Sequence, residues 1–120
     1  MGYFAMTNIA ILGFGTVGGG VYEALSRCNK KPLCDVNIKY ILDLRDFDVP
    51  HKNLFVKDFD IILKDPEVAI VVEAMGGLHP AYDFAKAALE NGKSVVTSNK
   101  EVVAEKGGEL LNLAKKNNLN

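Results

Sequence analysis

The lysine in the stretch SVVTSNKEVV, residues 94–103, occupies a position that suggests a chemical role. The apolar centre of SVVTS predicts a buried strand, and Lys100 follows shortly after it. Ser98 and Glu101 fit a capping box, which would place Lys100 in the first turn of a helix. A cation opposes the helix dipole there, so helix stability does not explain this lysine. The pattern favours an ammonium group that donates to a carbonyl or alcohol oxygen; the alternative is a lysine that extends into water.

A second feature, GFGTVG at residues 13–18, fits the G-x-G-x-x-G pattern of dinucleotide-binding loops. It follows a predicted strand and opens a predicted helix, which is the context that this function requires. Gly13 would make the tight turn, Gly15 would let the backbone approach a pyrophosphate, and Gly18 would let helix and strand pack closely. Amides of the first helical turn would then bind the anion. The candidate contacts are Gly13, Phe14, Gly15, Thr16, Val17 and Gly18, and the alternative is a glycine turn that binds nothing.

Asp43 lies at the end of the second predicted strand, where dinucleotide-binding folds carry an acidic residue. Its separation from Gly18 is slightly longer than the usual offset of about 20 residues. The carboxylate could accept hydrogen bonds from both adenosine ribose hydroxyls and would repel a 2′-phosphate, which favours NAD over NADP. Arg45 argues the other way, because its guanidinium could bind that phosphate. The alternative for Asp43 is a turn residue in an aspartate-rich loop.

The loop EAMGGLHP, residues 73–80, follows the third predicted strand and carries further candidate contacts. Glu73 ends an otherwise apolar strand, so it needs a partner or access to water. The two glycines leave space where the ribose-nicotinamide half of a dinucleotide would pass. His79 could act as an acid or base, but its place before Pro80 favours a surface position at a helix start. The candidate contacts in this loop are Ala74, Met75, Gly76 and Gly77.

These candidates fall at the ends of predicted strands that alternate with predicted helices. Apolar runs that stop at glycine or at polar residues predict four strands, within TNIAILGFG, CDVNIKYILD, VAIVVEAMGG and SVVTS. Such alternation indicates an α/β fold of the Rossmann type, a doubly wound parallel sheet of about four strands with flanking helices. Right-handed crossovers bring the carboxyl ends of the strands to one edge, where ligands of such folds bind.

Helical spacing of apolar residues places the connecting helices. One is predicted over about residues 16–27, where Gly19 and Gly20 suggest a closely packed neighbour, and a short one in DFDIILKD. Another begins at Pro80 and stops at the NG of residues 91–92, and the last runs from Asn99 onward with an interruption at Gly107–Gly108. The connection over 44–57 is predicted to be irregular.

Composition excludes several other classes of function. The chain has 120 residues, 48% hydrophobic and 24% charged, as expected of a single globular domain. A formal net charge of −1 without clusters of one sign gives no electrostatic case for nucleic acid or an anionic membrane. Cys28 and Cys34 lack metal-ligand spacing and secretory context, so neither a zinc site nor a disulfide is expected. The run Ile9–Leu12 is too short to span a bilayer, and a soluble cytoplasmic protein is predicted.

Three segments, ILGFGTVGGGV, VVEAMGGLHPAYDFAKAALENGKSVVTSNK and GGELLNLAKKN, resemble the N-terminal nucleotide-binding part of homoserine dehydrogenase. The resemblance covers nearly the whole chain and is weakest over residues 44–66. It implies an enzyme that interconverts homoserine and aspartate semialdehyde with NAD or NADP, on the route to threonine and methionine. By the same resemblance, Lys100 is catalytic and lies near the nicotinamide. Gly13–Gly18, the turn at 74–77 and Ser98 are implied as cofactor contacts.

The resemblance also implies what this chain lacks. The substrate-binding and dimerisation segments of the family lie downstream, and a complete dinucleotide fold has six strands. Residues 1–120 are therefore predicted to be a truncated NAD(P)-binding domain, inactive alone, from an enzyme that is a homo-oligomer. The alternatives are a regulatory module that senses NADH without catalysis, and a different Rossmann oxidoreductase acting on sugars or amino acids. The long match ending in TSNK argues against the second alternative.

Overall fold

A computed structural model describes residues 7–28, 36–97 and 99–117. They form one five-stranded, wholly parallel sheet in the order β3-β2-β1-β4-β5, with helices on both faces. The strands are β1 (Thr7–Leu12), β2 (Val36–Leu42), β3 (Phe55–Val56), β4 (Val68–Glu73) and β5 (Ser94–Thr97). The helices are α1 (Thr16–Cys28), α2 (Phe59–Leu63), α3 (Ala81–Glu90) and α4 (Lys100–Lys116).

The Rossmann-type doubly wound sheet predicted from the sequence is confirmed, but the number of strands was wrong. The described residues contain five strands instead of about four, because Phe55–Val56 forms a two-residue strand inside the connection expected to be irregular. A strand this short has no readable periodicity. It exists because its backbone pairs with Ile41 and Leu42 at the end of β2.

Alternation along β1 separates the two faces of the sheet. Ile9 and Ile11 point to the face covered by α1, whereas Ala10 and Leu12 point to the face covered by α2 and α3. All four side chains are buried, as expected of a central parallel strand with helices on both sides. The sheet is thereby held rigidly between two apolar layers, and α4 extends the second layer by packing on α3.

The strand register aligns the carboxyl ends across the sheet. Leu12 of β1 pairs with Leu42 on one side and with Glu73 on the other, and Glu73 pairs with Thr97 of β5. The loops that follow these residues therefore leave the sheet from the same edge. The reversal of chain order between β1 and β4 opens a crevice there, the usual ligand position in this fold.

Three local predictions about the helices need correction. Helix α4 runs without a break through Gly107 and Gly108, because buried Val102 and Leu110 on either side anchor it against α3. Its N-cap is Asn99, one residue later than the cap predicted at Ser98, which itself lies outside the described residues. A Cβ placed on Gly19 or Gly20 would meet nothing within 4 Å, so neither glycine serves close packing within the described part of the chain.

A buried cation lies at the amino ends of β4 and β5, opposite the ends from which the loops described above leave the sheet. Lys93, just before β5, is 4% exposed, and its Nζ donates to the backbone carbonyls of Asp65 at 2.6 Å and Val68 at 2.8 Å. Burial lowers the pKa of this ammonium group. The two bonds tie the start of β4 to the start of β5.

Within residues 7–28, 36–97 and 99–117, no helix is long and apolar enough to cross a membrane, and no cluster of His, Cys, Asp and Glu could hold a metal ion. The expectation about a disulfide concerns Cys34 and the side chain of Cys28, which lie outside the described part.

Candidate functional site

A cleft of about 440 Å³ opens at the carboxyl ends of β1, β2 and β4. Its size falls within the range of small-molecule sites. Three loops contribute to it: the glycine turn after β1, the segment after β2 and the turn after β4. The lining residues are Gly13, Gly15, Leu42, Asp43, Leu44, Arg45, Lys57, Phe59, Ala74, Met75, Gly76, Pro80 and Phe84.

The glycine turn has the geometry that the motif predicts. Gly13 has φ +95°, which side-chain-bearing residues rarely adopt, and its N–H donates to the Leu42 carbonyl at 2.7 Å. A Cβ on Gly18 would lie 1.8 Å from the Gly13 carbonyl oxygen, so only glycine allows α1 to begin this close to β1. The first bond of α1 runs from Gly19 N–H to the Gly15 carbonyl at 2.8 Å. The amides ahead of it are those that a helix leaves without intrahelical partners.

The Asp43 carboxylate joins the end of β2 to the glycine turn. Oδ2 accepts from the Phe14 N–H at 2.9 Å, and Oδ1 accepts from the Arg45 N–H at 2.9 Å. The Arg45 guanidinium also donates to both oxygens, at 3.0 and 2.8 Å. The Asp43 side chain is 8% exposed and that of Arg45 is 64% exposed. The guanidinium and the two backbone amides hold the pKa of Asp43 well below its usual range.

An aromatic cluster packs around Phe14 of the glycine turn, and none of its rings lines the cleft. The Phe14 ring packs edge-on against Tyr22, Phe47, His51 and Phe55, with centroid distances of 5.1 to 6.1 Å. His51 also stacks on Tyr22, with centroids 3.8 Å apart. Burial lowers the pKa of His51, which favours the neutral imidazole in this stack. Phe14 thus contributes its backbone to the Asp43 contact and its ring to the aromatic cluster.

The turn after β4 is organised by Glu73, which is fully buried. Its Oε2 accepts from the Met75 N–H at 2.6 Å, and its Oε1 accepts from the Thr97 hydroxyl at 2.5 Å. These bonds supply the partner that a charged residue at the end of an apolar strand requires. Gly77 in the same turn has φ +79°, so this position also favours glycine.

Lys100 is the first residue of α4 and is exposed. It does not line the cleft, but the preceding residue, Asn99, is bonded to the turn after β4 through the Met75 and Gly77 carbonyls. The ammonium-bearing residue is therefore attached to the rim of the cleft rather than to its wall.

The predicted contacts divide into two groups. Gly13, Gly15, Asp43, Ala74, Met75 and Gly76 line the cleft together. Phe14, Thr16, Val17, Gly18, Gly77 and Lys100 lie in the same loops or helix starts without lining it, and Ser98 lies outside the described residues. His79 is at the surface, where its Nδ1 is 2.7 Å from the Asp83 carboxylate.

Sequence patterns do not identify two other groups at this edge. Lys57 lines the cleft and bonds the Asp46 carboxylate at 2.8 Å and the Leu44 carbonyl at 3.1 Å. It lies in the segment with the least regular pattern, so nothing in the sequence brings it to the site. Asn99 had a signal, since asparagine is as good an N-cap as serine, but the neighbouring Ser98 fitted a known box better.

The strand order, the glycine turn and the cleft at the switch point define a dinucleotide-binding α/β domain of the Rossmann type. Comparison with known proteins makes the assignment more specific. The family model for "Homoserine dehydrogenase, NAD binding domain" matches residues 13–120, and the chain belongs to that family.

Individual relatives agree with this assignment. Homoserine dehydrogenase of Bacillus subtilis is 38% identical over 92% of this chain, and that of Lactococcus lactis is 40% identical over 93%. The chain spans only 27% and 28% of these two proteins. A crystal structure of S. aureus homoserine dehydrogenase matches 98% of the chain with a TM-score of 0.85 and 34% identity, over 32% of its own length. A hyperthermophilic archaeal homoserine dehydrogenase in complex with NADPH matches 94% with a TM-score of 0.76 and 29% identity, over 42% of its length.

Proposed function

We propose that residues 1–120 are the NAD(P)-binding domain of a homoserine dehydrogenase that interconverts homoserine and aspartate semialdehyde. The observation that carries the proposal is the single cleft shared by the glycine turn, Asp43 and the turn after β4, in a chain of this family. The chain spans about a quarter of its curated relatives, so the activity belongs to a longer enzyme and the domain alone is inactive.

The residues at the cleft fit a dinucleotide. Gly18 lets α1 start beside β1, so the amides of Thr16, Val17 and Gly18 are available to a pyrophosphate. Asp43 is the acceptor for the adenosine ribose hydroxyls, and the turn at 74–77 borders the nicotinamide half. No metal ion is needed to hold the phosphates, since the helix dipole and backbone amides supply the positive potential.

The chemistry divides between the cofactor and the chain. When bound, the nicotinamide exchanges a hydride with the carbon that is alcohol in homoserine and aldehyde in the semialdehyde. In reduction of the semialdehyde, the Lys100 ammonium group donates a hydrogen bond to the carbonyl oxygen, stabilises the negative charge that develops there, and gives that oxygen its proton, which water then replaces; oxidation of homoserine is the reverse. The position of Lys100 at the first residue of α4 adds the positive end of the helix dipole to that effect.

The cleft favours NAD over NADP. A 2′-phosphate would lie near the Asp43 carboxylate, and the two cations that could offset the repulsion already have partners. Arg45 is paired with Asp43, and Lys57 is paired with Asp46. Binding of NADP would require these ion pairs to open, whereas ribose hydroxyls can replace exposed Arg45 donors at Asp43 without charge repulsion.

Calorimetric titration of this chain with NAD and with NADP tests the cofactor assignment. NAD should bind more tightly than NADP. Asp43→Asn should reduce this difference in affinity, because it weakens the binding of NAD and removes the repulsion of the 2′-phosphate of NADP. Asp60→Asn, which removes the same charge from an exposed residue that does not line the cleft, provides the control. Equal affinity for both nucleotides in the parent chain, or tighter binding of NADP, would refute the preference for NAD.

Substitution of Lys100 in the complete enzyme tests the catalytic assignment. Lys100→Ala should lower kcat for homoserine by about 100-fold or more and leave NAD affinity nearly unchanged. The exposure of Lys100 outside the cleft favours a second candidate, a module that senses NADH without catalysis. An enzyme in which Lys100→Ala weakens NADH binding and the parent protein shows no turnover would support that candidate instead.

A further inference from the structure

Three side chains connect the turn after β4 to the start of α4. Glu73 ends β4, Thr97 ends β5 and Asn99 precedes α4, and they form a continuous series of hydrogen bonds beside the cleft. The Thr97 hydroxyl donates to Glu73 Oε1 at 2.5 Å and accepts from the Asn99 N–H at 3.0 Å. We name this series the Glu73–Asn99 bridge. It lies immediately before Lys100 in the chain.

Asn99 uses its whole amide group in two directions. Its Oδ1 accepts from the N–H groups of Glu101 at 3.1 Å and Val102 at 3.3 Å, which caps α4. Its Nδ2 donates to the carbonyls of Met75 at 3.1 Å and Gly77 at 2.5 Å. The residue is 7% exposed. A helix cap needs only the oxygen, so the two donated bonds serve a separate purpose.

Glu73 holds the other end of the bridge. It is fully buried, and its two carboxylate oxygens accept from donors on different loops, the Met75 N–H and the Thr97 hydroxyl. The turn after β4 is thus bonded at both polar backbone groups of Met75. Its N–H donates to Glu73, and its carbonyl accepts from Asn99. Side-chain hydrogen bonds, and not sheet pairing alone, therefore determine where the turn after β4 lies relative to the start of α4.

We propose that Asn99 is a positioning residue that sets the location of Lys100 relative to the turn at 74–77, with Glu73 and Thr97 holding Asn99 in place. The inference rests on the proposed function, in which that turn borders the nicotinamide and Lys100 contacts the substrate oxygen. Hydride transfer depends steeply on the distance and angle between the two groups, and a displacement of about 1 Å can cost about 100-fold in rate.

The variant Asn99→Ser separates the two uses of the amide. Serine keeps an oxygen that caps the helix but has no group that reaches the Met75 and Gly77 carbonyls. In the complete enzyme we expect kcat to fall by about 10- to 100-fold, with a much smaller change in KM for NAD and little loss of thermal stability. Thr97→Val, which removes the hydroxyl, should lower kcat in the same way, and Thr97→Ser should restore most of it.

A loss of helix capping alone provides the matched control. Asp58 caps α2 by accepting from the Asp60 N–H at 2.9 Å. Asp58→Ala should therefore lower the melting temperature without lowering kcat. If Asn99→Ser, which keeps the cap, has normal kcat and normal stability, and Asn99→Ala behaves like Asp58→Ala, with reduced stability and normal kcat, Asn99 is only a cap and the proposal is wrong.

Measuring the parent enzyme and Lys100→Ala in the same assay distinguishes a failure of this inference from a failure of the proposed function. A parent enzyme that does not oxidise homoserine would overturn the proposed function and, with it, a positioning role. An active parent, an inactive Lys100→Ala and an Asn99→Ser variant with normal kcat would overturn the bridge alone. An active parent with reduced kcat in Asn99→Ser and faster amide exchange at residues 75–77, but not at 101–103, would support the bridge.

Discussion

The two sides of the cleft each use a carboxylate at the end of a strand, but in different environments. Asp43 directly follows β2 and has a cationic partner, Arg45, whose side chain is 64% exposed. Glu73 ends β4, is fully buried and, among the described residues, accepts only from an amide and a hydroxyl. The first arrangement can exchange its partner for a ligand. The second is the acceptor for two donors on different loops, which would lose their partner if it opened, so it serves as a fixed support.

The largest difference between the two sides should appear when Glu73 is replaced by its uncharged isostere. Glu73→Gln places an amide NH₂ group against either the Met75 N–H or the Thr97 hydroxyl, which leaves a buried donor unpaired. The free energy of unfolding of the chain should fall by about 2 kcal/mol. Urea unfolding followed by circular dichroism measures it. A loss of less than about 0.5 kcal/mol would contradict the description of Glu73 as a fixed support.

The matched change on the other side, Asp43→Asn, should have a smaller effect of about 1 kcal/mol, because Arg45 can turn to water. It should also change the dependence on pH. A carboxyl group whose folded pKa lies below its unfolded value near 4 stabilises the fold fully above about pH 5 and loses that contribution as the pH falls. The parent chain should therefore lose stability between about pH 5 and pH 2 more steeply than Asp43→Asn. Parallel profiles would show that Asp43 does not contribute.

Asp65 provides an internal reference for that experiment. Its pKa is lowered to about 2 by hydrogen bonds from Lys39 and Tyr40 at the opposite edge of the sheet. Its contribution has the same sign and falls in the same pH range, but it is present in both proteins. The difference between the two profiles therefore isolates Asp43.

Most of the fold could be predicted because its central strands carry continuous apolar runs, although β5 is less buried than SVVTS predicts, since Val96 is 56% exposed. Continuous apolar runs such as VAIVVE are long enough to identify, and they end at residues that mark the ligand-binding edge. The strand Phe55–Val56 could not be predicted, since two residues have no readable periodicity and only the pairing with Ile41 and Leu42 defines the strand. The continuity of α4 through Gly107–Gly108 was missed for a similar reason. Contacts with α3 offset the poor helix propensity of glycine.

The residues of the candidate site could largely be predicted, but the side-chain hydrogen bonds between them could not. The glycine motif specifies a backbone geometry, and the clash that a side chain at Gly18 would cause explains why its spacing is readable. The pairing of Asp43 with Arg45 and the bridge through Asn99 depend on side-chain directions, which spacing alone does not specify. Serine and asparagine next to each other cap a helix equally well. Asparagine differs only because its Nδ2 can also donate to the Met75 and Gly77 carbonyls of the neighbouring turn.

The enclosed ammonium group of Lys93 has a consequence for labelling experiments. Acylating reagents react with amines that solvent can reach. They should therefore modify exposed Lys100 readily, and Lys93 only when the starts of β4 and β5 separate. The chain thus carries one lysine that reports on the cleft rim and another that reports on global opening. A mass spectrum of the partially acylated protein can distinguish occupancy of the rim from loss of the fold.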